Sequence, residues 1–288
     1  MPTNSTIVRF IALSKHRLSS IAAPQMAARQ LERLFLTPQR TSRPEREQQW
    51  LQGAVSERIT WRDAQQLTLY RWGNTGPKVL LMHGFSGRAS QLACYAAPLV
   101  AKGFQVLAFD APAHGESDGV QTSLPEFADA LLHVGARLGP LHACIAHSNG
   151  AAATTLALSR GLDCARTVLL APPEDLQGYL QQIGRWLGFT QRAIWACQRR
   201  IEARYAVPFS ELRGALLAPQ LRVPALLIHD QEDQVVPISE GQRLANAWPH
   251  AELLVTQGLG HSRLLRDEHI IERVQRFICA ALPQPACA

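Results

Sequence analysis

Long apolar runs and lysine are both scarce in this sequence. No stretch of 18 consecutive apolar residues occurs among the 288 residues, so we expect no membrane-spanning helix. Lysine occurs only at positions 15, 78 and 102, and the formal charge of +6 comes from arginines spread along the chain. Since no compact basic run interleaves with aromatic residues, the composition argues against a nucleic-acid partner and predicts a merely basic surface.

Cysteine spacing excludes several classes of site. The six cysteines lie at positions 94, 144, 164, 197, 279 and 287, with neither a C-x-x-C motif nor metal-ligand spacing. This pattern predicts neither a disulfide framework nor a zinc site, and it favours a reducing compartment. Asp110 and His114 have no third ligand at a useful spacing. We therefore expect a cytoplasmic protein with no metal ion and no cofactor.

The first 30 residues contain no acidic residue. Four basic residues lie among them, at Arg9, Lys15, Arg17 and Arg29. Because Arg9 and Lys15 interrupt the apolar part, a secretory signal is not indicated. We expect residues 1–53 to form an N-terminal helical segment and a polar linker, with the helix packed on the domain. The alternative is a basic amphipathic helix that makes a peripheral contact with a membrane surface.

From residue 54 onward, short β-rich runs alternate with longer helical patterns. This alternation predicts an α/β fold with a mostly parallel central sheet flanked by helices, after an antiparallel start in "SERITW" and "LTLYRWG". It stops between residues 174 and 221, where the pattern is helical throughout. We therefore predict a core of residues 54–173 and 222–288 that carries a helical cap insertion at 174–221.

Unusual residue sets follow four of the predicted strands. In a parallel sheet the carboxyl ends of the strands gather at one edge, where functional residues collect. We therefore expect the four sets to form one site. They are "HGFSG" (83–87), "AHSNG" (146–150), "HDQEDQVVP" (229–237) and "GLGHS" (258–262).

Ser148 stands between a predicted strand and a predicted helix. A nucleophile elbow holds its serine on a strained turn, so the residues two before and two after it must be small. Ala146 and Gly150 meet this requirement. The pattern predicts a nucleophile at Ser148, and the alternative interpretation is a serine that caps the helix.

An acid and a histidine follow Ser148 in the order Ser–Asp–His. A serine hydroxyl needs a base to take its proton and a third group to orient that base. Asp233 and His261 each lie after a predicted strand and are the predicted acid and base. Asp230 and Glu232 are the alternative acids.

Together with "FDAPAHGESDG" (109–119), these four sets resemble the motifs of the α/β-hydrolase family, over roughly residues 54 to 282. The resemblance implies an α/β-hydrolase fold in which Ser148 attacks a carbonyl, His261 is the general base and Asp233 holds the imidazolium. It also implies an oxyanion hole formed by the backbone N–H groups of Phe85 and Asn149. Two departures are alanines, at positions 146 and 113, where the family usually has glycine.

The resulting hypothesis is a serine hydrolase that cleaves a small-molecule carboxylic ester through an acyl-enzyme. His147, Trp186 and Trp195 are candidates for the substrate pocket, although the tryptophans could equally belong to the core of the cap. His83 and His114 are expected to brace loops. The alternatives are a carbon–carbon bond hydrolase or an acyltransferase with the same triad, and a non-catalytic binding protein with this fold.

Overall fold

A single sheet organises most of the chain. The computed structural model describes residues 13–14 and 16–280. Within these residues eight strands pair in the order β1-β2-β4-β3-β5-β6-β7-β8. They are β1 (Val55–Thr60), β2 (Gln66–Trp72), β3 (Lys78–Met82), β4 (Gln105–Phe109), β5 (Ala143–His147), β6 (Thr167–Leu170), β7 (Ala225–Asp230) and β8 (Ala251–Thr256). β2 is antiparallel to both β1 and β4, and all other neighbours are parallel. The predicted fold, including its antiparallel start, is confirmed.

The inner strands are buried because their sequences are nearly continuous apolar runs. β3 reads "KVLLM", β5 reads "ACIAH" and β6 reads "TVLL", and almost every residue in them is buried. Such runs are typical of parallel strands that are covered on both faces. The register pairs Met82 with Ala146 and Ala146 with Leu169. The carboxyl ends of β3, β5 and β6 therefore lie level at one edge of the sheet.

Helices occupy most of the remaining described chain. Residues 16–22 are helical, and no helix in the described part of the chain has the length and apolarity to cross a membrane. The others are α1 (Pro24–Leu36), α2 (Glu45–Trp50), α3 (Ala96–Val100), α4 (Leu124–Leu138), α5 (Asn149–Ser159), α6 (Leu176–Trp186), α7 (Gln191–Tyr205), α8 (Gly214–Leu217), α9 (Ile238–Ala247), α10 (Gly260–Arg263) and α11 (Glu268–Cys279). Short 3₁₀ turns occur at Ala89–Tyr95, Phe209–Leu212, Ala218–Gln220 and Leu264–Arg266.

The chain divides into two compact units. The helical unit contains the described residues up to Pro38 together with Asp175–Arg213. The sheet unit contains Gln39–Glu174 and the described residues from Gly214 onward. This division differs from the expected one at three places. The described residues up to Pro38 form one unit with the inserted helices, residues 39–53 belong with the sheet, and the helical insertion ends at Arg213 rather than near residue 221.

Specific contacts account for both shifted boundaries. In the sheet unit, Glu47 is buried and receives two hydrogen bonds from the Arg88 guanidinium, at 2.6 and 3.1 Å, and a third from the Ser90 hydroxyl. These contacts hold the segment around Glu47 on the sheet unit. At the other boundary, the amide of Gly214 donates to the carbonyl of Glu174 at 3.0 Å. This bond ties the start of α8 to the segment that follows β6.

In the helical unit, the N-terminal helix packs on the inserted helices. Leu31 and Ile194 are fully buried there. A methyl group at Gly184 would lie 2.6 Å from a side-chain carbon of Ile194 and 3.3 Å from one of Leu31, so the small residue is what permits the close approach. Glu32 of α1 forms a 2.6 Å ion pair with Arg200 of α7. The apolar face of α1 thus packs on a helix that is distant in the sequence, since the paired residues Glu32 and Arg200 are 168 positions apart.

Replacement of Arg88 by methionine is expected to lower the free energy of unfolding by about 3–5 kcal/mol, because it leaves the buried Glu47 carboxylate without its counter-ion. Urea unfolding measures this change. Arg137→Met is the matched control, since Arg137 and Glu57 are half exposed and 3.8 Å apart and such pairs contribute about 0–1 kcal/mol. Equal losses for the two variants would contradict a special role for the buried pair.

Candidate active site

Ser148 lies on a sharp turn between β5 and α5. Its backbone has φ 50° and ψ −124°, a region that costs a non-glycine residue about 1–3 kcal/mol. Its side chain makes no capping hydrogen bond to the helix that follows, which contradicts the interpretation of Ser148 as a helix cap. The turn therefore holds Ser148 in a strained conformation with its hydroxyl free of the helix.

Two glycines make this turn sterically feasible. A methyl group at Gly150 would lie only 2.3 Å from the carbonyl oxygen of His83. A methyl group at Gly84 would lie 3.0 Å from the Cβ atom of Ser148. Ala146 is fully buried within β5 and tolerates its extra methyl group there. The loop after β3 and the Ser148 turn consequently pack against each other, as the requirement for small residues predicts.

His261 contacts Asp233 directly. The Nδ1 atom of His261 lies 2.7 Å from Oδ2 of Asp233. The other oxygen, Oδ1, accepts the backbone N–H groups of Val235 and Val236 at 2.8 and 2.9 Å. Because a carboxylate only accepts, the neutral His261 ring carries its proton on Nδ1 and leaves Nε2 free.

The two alternative acids lie elsewhere. Asp230 is buried, and its carboxylate accepts hydrogen bonds from the Thr256 hydroxyl at 2.7 Å and from the backbone N–H groups of Leu259 and Glu232. The residue at 232 is exposed. Asp230 therefore orders the two loops that carry Asp233 and His261, while Asp233 is the acid that meets the histidine.

Asp233 has a second histidine beside it, His229, to which no sequence motif assigned a role. His229 is fully buried, with Nε2 at 2.9 Å from the carbonyl oxygen of Val236 and 3.5 Å from Oδ2 of Asp233. Burial raises the pKa of Asp233, but the hydrogen bonds from His229 and His261 outweigh it and hold that pKa well below its usual value. The sequence signal that could have indicated His229 is its position as a polar residue within the otherwise apolar strand "ALLIHD".

His147, a predicted pocket residue, joins the nucleophile turn to the histidine loop. Its Nε2 atom donates to the carbonyl oxygen of His261 at 3.0 Å, and the centres of the two rings are 4.7 Å apart. Burial lowers the pKa of His147 to about 3, so the ring stays neutral at pH 7. Because His147 immediately precedes Ser148, this bond brings Ser148 and His261 into the same neighbourhood.

The loop after β3 carries the first predicted oxyanion donor. The amide N–H groups of Phe85 and Asn149 donate to no other residue in the described part of the chain. Asn149 is the first residue of α5, where backbone N–H groups are free and the helix dipole favours negative charge. Gly84, which precedes Phe85, contacts the Ser148 turn, and Asn149 directly follows Ser148. The role of these two amides as an oxyanion hole stays a prediction.

His83 and His114 brace this loop, as expected. The ring of His83 accepts the amide of Ala111 at 2.9 Å, and the ring of His114 accepts the amide of Ser86 at 2.8 Å. Burial lowers the pKa of His83 to about 4 and that of His114 to about 3. Both rings are thus neutral hydrogen-bond acceptors at pH 7, which is what the two loop amides require.

Asp110, which precedes the second of these loops, has its carboxylate occupied by protein donors. It accepts the amides of Ala89 at 2.7 Å and Glu116 at 2.9 Å, with the Tyr70 hydroxyl at 3.4 Å. Burial raises the pKa of Asp110. The described residues contain no group of three or more candidate ligands that could hold a metal ion.

The two tryptophans predicted to line the pocket belong to the helical unit. Trp186 is 58% exposed and Trp195 is 51% exposed. Neither is part of a buried core in that unit, which contradicts the interpretation of these residues as the core of the cap. Their assignment to a substrate pocket stays a prediction.

Three of the buried histidines, His83, His114 and His147, make stability depend on pH. Their pKa values of about 3 to 4 in the folded protein lie below the unfolded value of about 6.5. The unfolded chain therefore binds more protons between these limits, and stability present above pH 6.5 is lost as the pH falls. We expect a loss of roughly 1.4 kcal/mol per pH unit for each ring, measured by urea unfolding.

His114→Gln provides the control for this pH dependence. Glutamine can still accept the Ser86 amide but does not titrate, so the slope between about pH 6 and pH 4 should decrease by the equivalent of one proton. An unchanged slope would show that His114 is not held neutral by burial.

Comparison with known proteins agrees with this geometry. A model of the α/β-hydrolase family matches residues 79–273, and the chain belongs to this family. A proline iminopeptidase of Xylella fastidiosa is 38% identical over 68 residues, a match that covers 22% of this chain and only 22% of that relative. The predicted family is therefore confirmed.

Solved structures show the same fold. The esterase Pf2001 of Pyrococcus furiosus has a TM-score of 0.65 and 23% identity, over 85% of this chain and 99% of that one. The thioesterase domain from the curacin biosynthetic pathway has a TM-score of 0.60 and 17% identity, over 79% and 99%. At these identities the likeness concerns the fold.

Proposed function

We propose that this protein is a serine hydrolase that cleaves small carboxylic esters through an acyl-enzyme. Ser148 is the nucleophile, His261 the general base and acid, and Asp233 the residue that orients His261. The observation that carries the proposal is the 2.7 Å contact between His261 Nδ1 and Asp233, in a loop that His147 ties to the strained Ser148 turn. An oriented histidine and a serine held on an elbow are the two parts that a triad of this kind requires, and they support the proposal.

In the acylation step the Ser148 hydroxyl oxygen attacks the ester carbonyl carbon while its proton passes to Nε2 of His261. The amides of Phe85 and Asn149 stabilise the negative charge that develops on the carbonyl oxygen, each contributing about 2.7–4 kcal/mol. Collapse of the tetrahedral intermediate breaks the bond to the alcohol oxygen. The leaving alcohol takes the proton from His261, and the acyl group stays on Ser148.

Deacylation repeats these steps with water as the nucleophile. His261 takes a proton from water, hydroxide attacks the acyl carbon, and the carboxylic acid leaves as Ser148 recovers its proton from His261. The low pKa of Asp233 keeps this carboxylate ionised at neutral pH, where it stabilises the imidazolium formed in both steps.

The similar proteins differ in the type of acyl bond that their names specify. Their names cover an esterase, a thioesterase and a peptidase. Hydrolysis rates on matched substrates with oxygen, sulfur and nitrogen leaving groups distinguish these classes. Faster hydrolysis of the oxygen ester supports the proposal. Faster hydrolysis of a thioester or of a proline anilide would contradict the proposed substrate class but not the proposed roles of Ser148, His261 and Asp233.

The decisive experiment is labelling with a fluorophosphonate probe, which phosphonylates an activated serine, followed by peptide mapping. We expect one adduct on Ser148 in the wild-type protein and none in Ser148→Ala. Asp233→Asn should label far more slowly. An adduct on another serine, or no adduct in a protein that melts cooperatively, would contradict an activated Ser148 and favour a binding role.

A further inference from the structure

Positive charge is concentrated in the helical unit. Its described residues contain nine basic and four acidic residues, a formal charge of +5. Residues 39–174 and 214–288 contain eighteen basic and nineteen acidic ones, a formal charge of −1. The excess that makes the whole chain basic therefore belongs to about a quarter of its length.

Most of this charge is available to a partner. In the sheet unit eight arginines pair with a carboxylate. In the helical unit Glu32 pairs with Arg200 and Arg204. Six further arginines there are exposed, and none of them forms an ion pair with a described residue. They are Arg17, Arg29, Arg33, Arg185, Arg192 and Arg199.

Large apolar side chains are exposed in the same unit. Of the eleven large hydrophobic residues that are exposed in the described chain, six belong to it. Exposed apolar groups of this kind, surrounded by polar residues, mark surfaces that contact a partner. The six are Leu18, Ile21, Met26, Leu34, Trp186 and Trp195.

The apolar and basic side chains share helix faces. On α7, Arg192, Trp195 and Arg199 are spaced by three and four residues and are all exposed, which is the spacing of neighbours on one face of a helix. On α1, Met26 and Arg29 have the same relation. The opposite faces of these helices pack into the unit, so both mixed faces point outward.

The chemistry of these faces distinguishes among three partners. A second copy of the chain would bring two units of charge +5 together, which is unfavourable. A single-stranded nucleic acid would use the arginines and tryptophans, but leucine, isoleucine and methionine offer it no stacking platform. An anionic bilayer uses all of them: arginines at the headgroups, tryptophans at the interface and aliphatic side chains at the acyl boundary.

We propose that the helical unit binds the surface of an anionic lipid bilayer through the exposed arginines, tryptophans and aliphatic side chains of α1, α6, α7 and residues 16–22. This proposal concerns a peripheral contact and does not depend on ester hydrolysis. It extends the membrane contact considered for the N-terminal segment to the inserted helices.

Sedimentation of the full-length protein with lipid vesicles tests the proposal. We expect binding to phosphatidylcholine vesicles that contain phosphatidylglycerol, weak binding to pure phosphatidylcholine, and strong weakening as salt rises from about 0.1 M to about 1 M, where the Debye length falls to about 3 Å. Arg192→Gln/Arg199→Gln should lower the vesicle partition coefficient about 25-fold, since each basic residue near the surface contributes about fivefold.

Arg46→Gln/Arg222→Gln is the matched control, because both residues are exposed in the sheet unit and removal of their charge leaves the helical unit intact. This variant should bind within about twofold of the wild type. Trp186→Ala/Trp195→Ala should lower the partition coefficient even at high salt, where the apolar contribution remains. A cooperative thermal transition in each variant establishes that it is folded.

Four outcomes would overturn the proposal. The first is no sedimentation with anionic vesicles at low salt. The second is an equal loss in the Arg192/Arg199 variant and in its control, which would indicate a diffuse charge effect. The third is tighter binding to a single-stranded oligonucleotide than to vesicles. The fourth is a wild-type dimer that the tryptophan variant dissociates, which would assign the surface to a second copy.

Discussion

Replacement of Ser148 by alanine is expected to lower kcat for an activated ester by about 10⁶-fold, with a residual rate about 10³–10⁴-fold above that of water. The loss is large because the variant has no acceptor for the acyl group, while the amides of Phe85 and Asn149 remain to stabilise a tetrahedral intermediate. Steady-state hydrolysis of a p-nitrophenyl ester measures kcat. The protein should still fold, since the side chain at position 148 makes no capping bond to α5.

Ser159→Ala is the control for this prediction. Ser159 is the last residue of the same helix, and its hydroxyl donates to the carbonyl of Leu156 at 2.8 Å, so its removal should leave kcat unchanged. The double variant Ser148→Ala/His261→Ala should be no slower than Ser148→Ala, because the two residues act as one unit. Additive losses in the double variant, or a kcat near the wild-type value in Ser148→Ala, would contradict the assignment of Ser148 as nucleophile.

Sequence alone predicted most of the sheet and the residues that meet at its edge. The inner parallel strands are almost fully buried, so they are nearly continuous apolar runs whose ends are marked by polar residues and glycine. Ser148 and Asp233 follow two of these strands, β5 and β7, whereas His261 follows β8, which is only partly buried. Because the carboxyl ends of parallel strands share one edge, correct strands were sufficient to place the three loops at that edge, where Asp233 contacts His261 and His147 bonds to His261.

The features that sequence did not predict depend on partners far apart in the chain. Glu47 is 41 residues from Arg88, and no local pattern indicates that either would be buried. The apolar face of α1 predicts that this helix packs against another element, but the sequence pattern does not identify α7 as that element. The role of His229 was not predicted for the same reason. His229 lies in β7, and it approaches Asp233 only because the loop after β7 folds back toward the end of that strand.

The sequence alone also could not decide whether Asp230 or Asp233 is the acid that contacts the histidine. Both lie close to the end of β7, and either carboxylate could be the acid on spacing alone. The structure separates them by their donors: Asp230 receives Thr256 and two backbone amides, whereas Asp233 keeps one oxygen for His261. Asp230 thus orders the loops through its hydrogen bonds, whereas Asp233 contacts the histidine.

Asp233→Asn is expected to lower kcat about 10⁴-fold at pH 7 while the fold is retained. The backbone amides of Val235 and Val236 both donate to Oδ1, so the single oxygen of asparagine should take that position. Its NH₂ group would then face His261, where the carboxylate now accepts the Nδ1 proton. His261 would be forced to accept at Nδ1 and to carry its proton on Nε2, where it cannot take the proton of Ser148.

The control is Glu232→Gln, the same change of acid to amide at an exposed position one residue away. Its kcat should stay within about twofold of the wild-type value, since surface changes away from buried partners have small effects. Hydrolysis rates at several pH values and the chemical shifts of the His261 ring nitrogens distinguish the two variants. Only Asp233→Asn should move the proton to Nε2. A normal rate in Asp233→Asn, or an equal loss in Glu232→Gln, would contradict Asp233 as the residue that fixes the His261 tautomer.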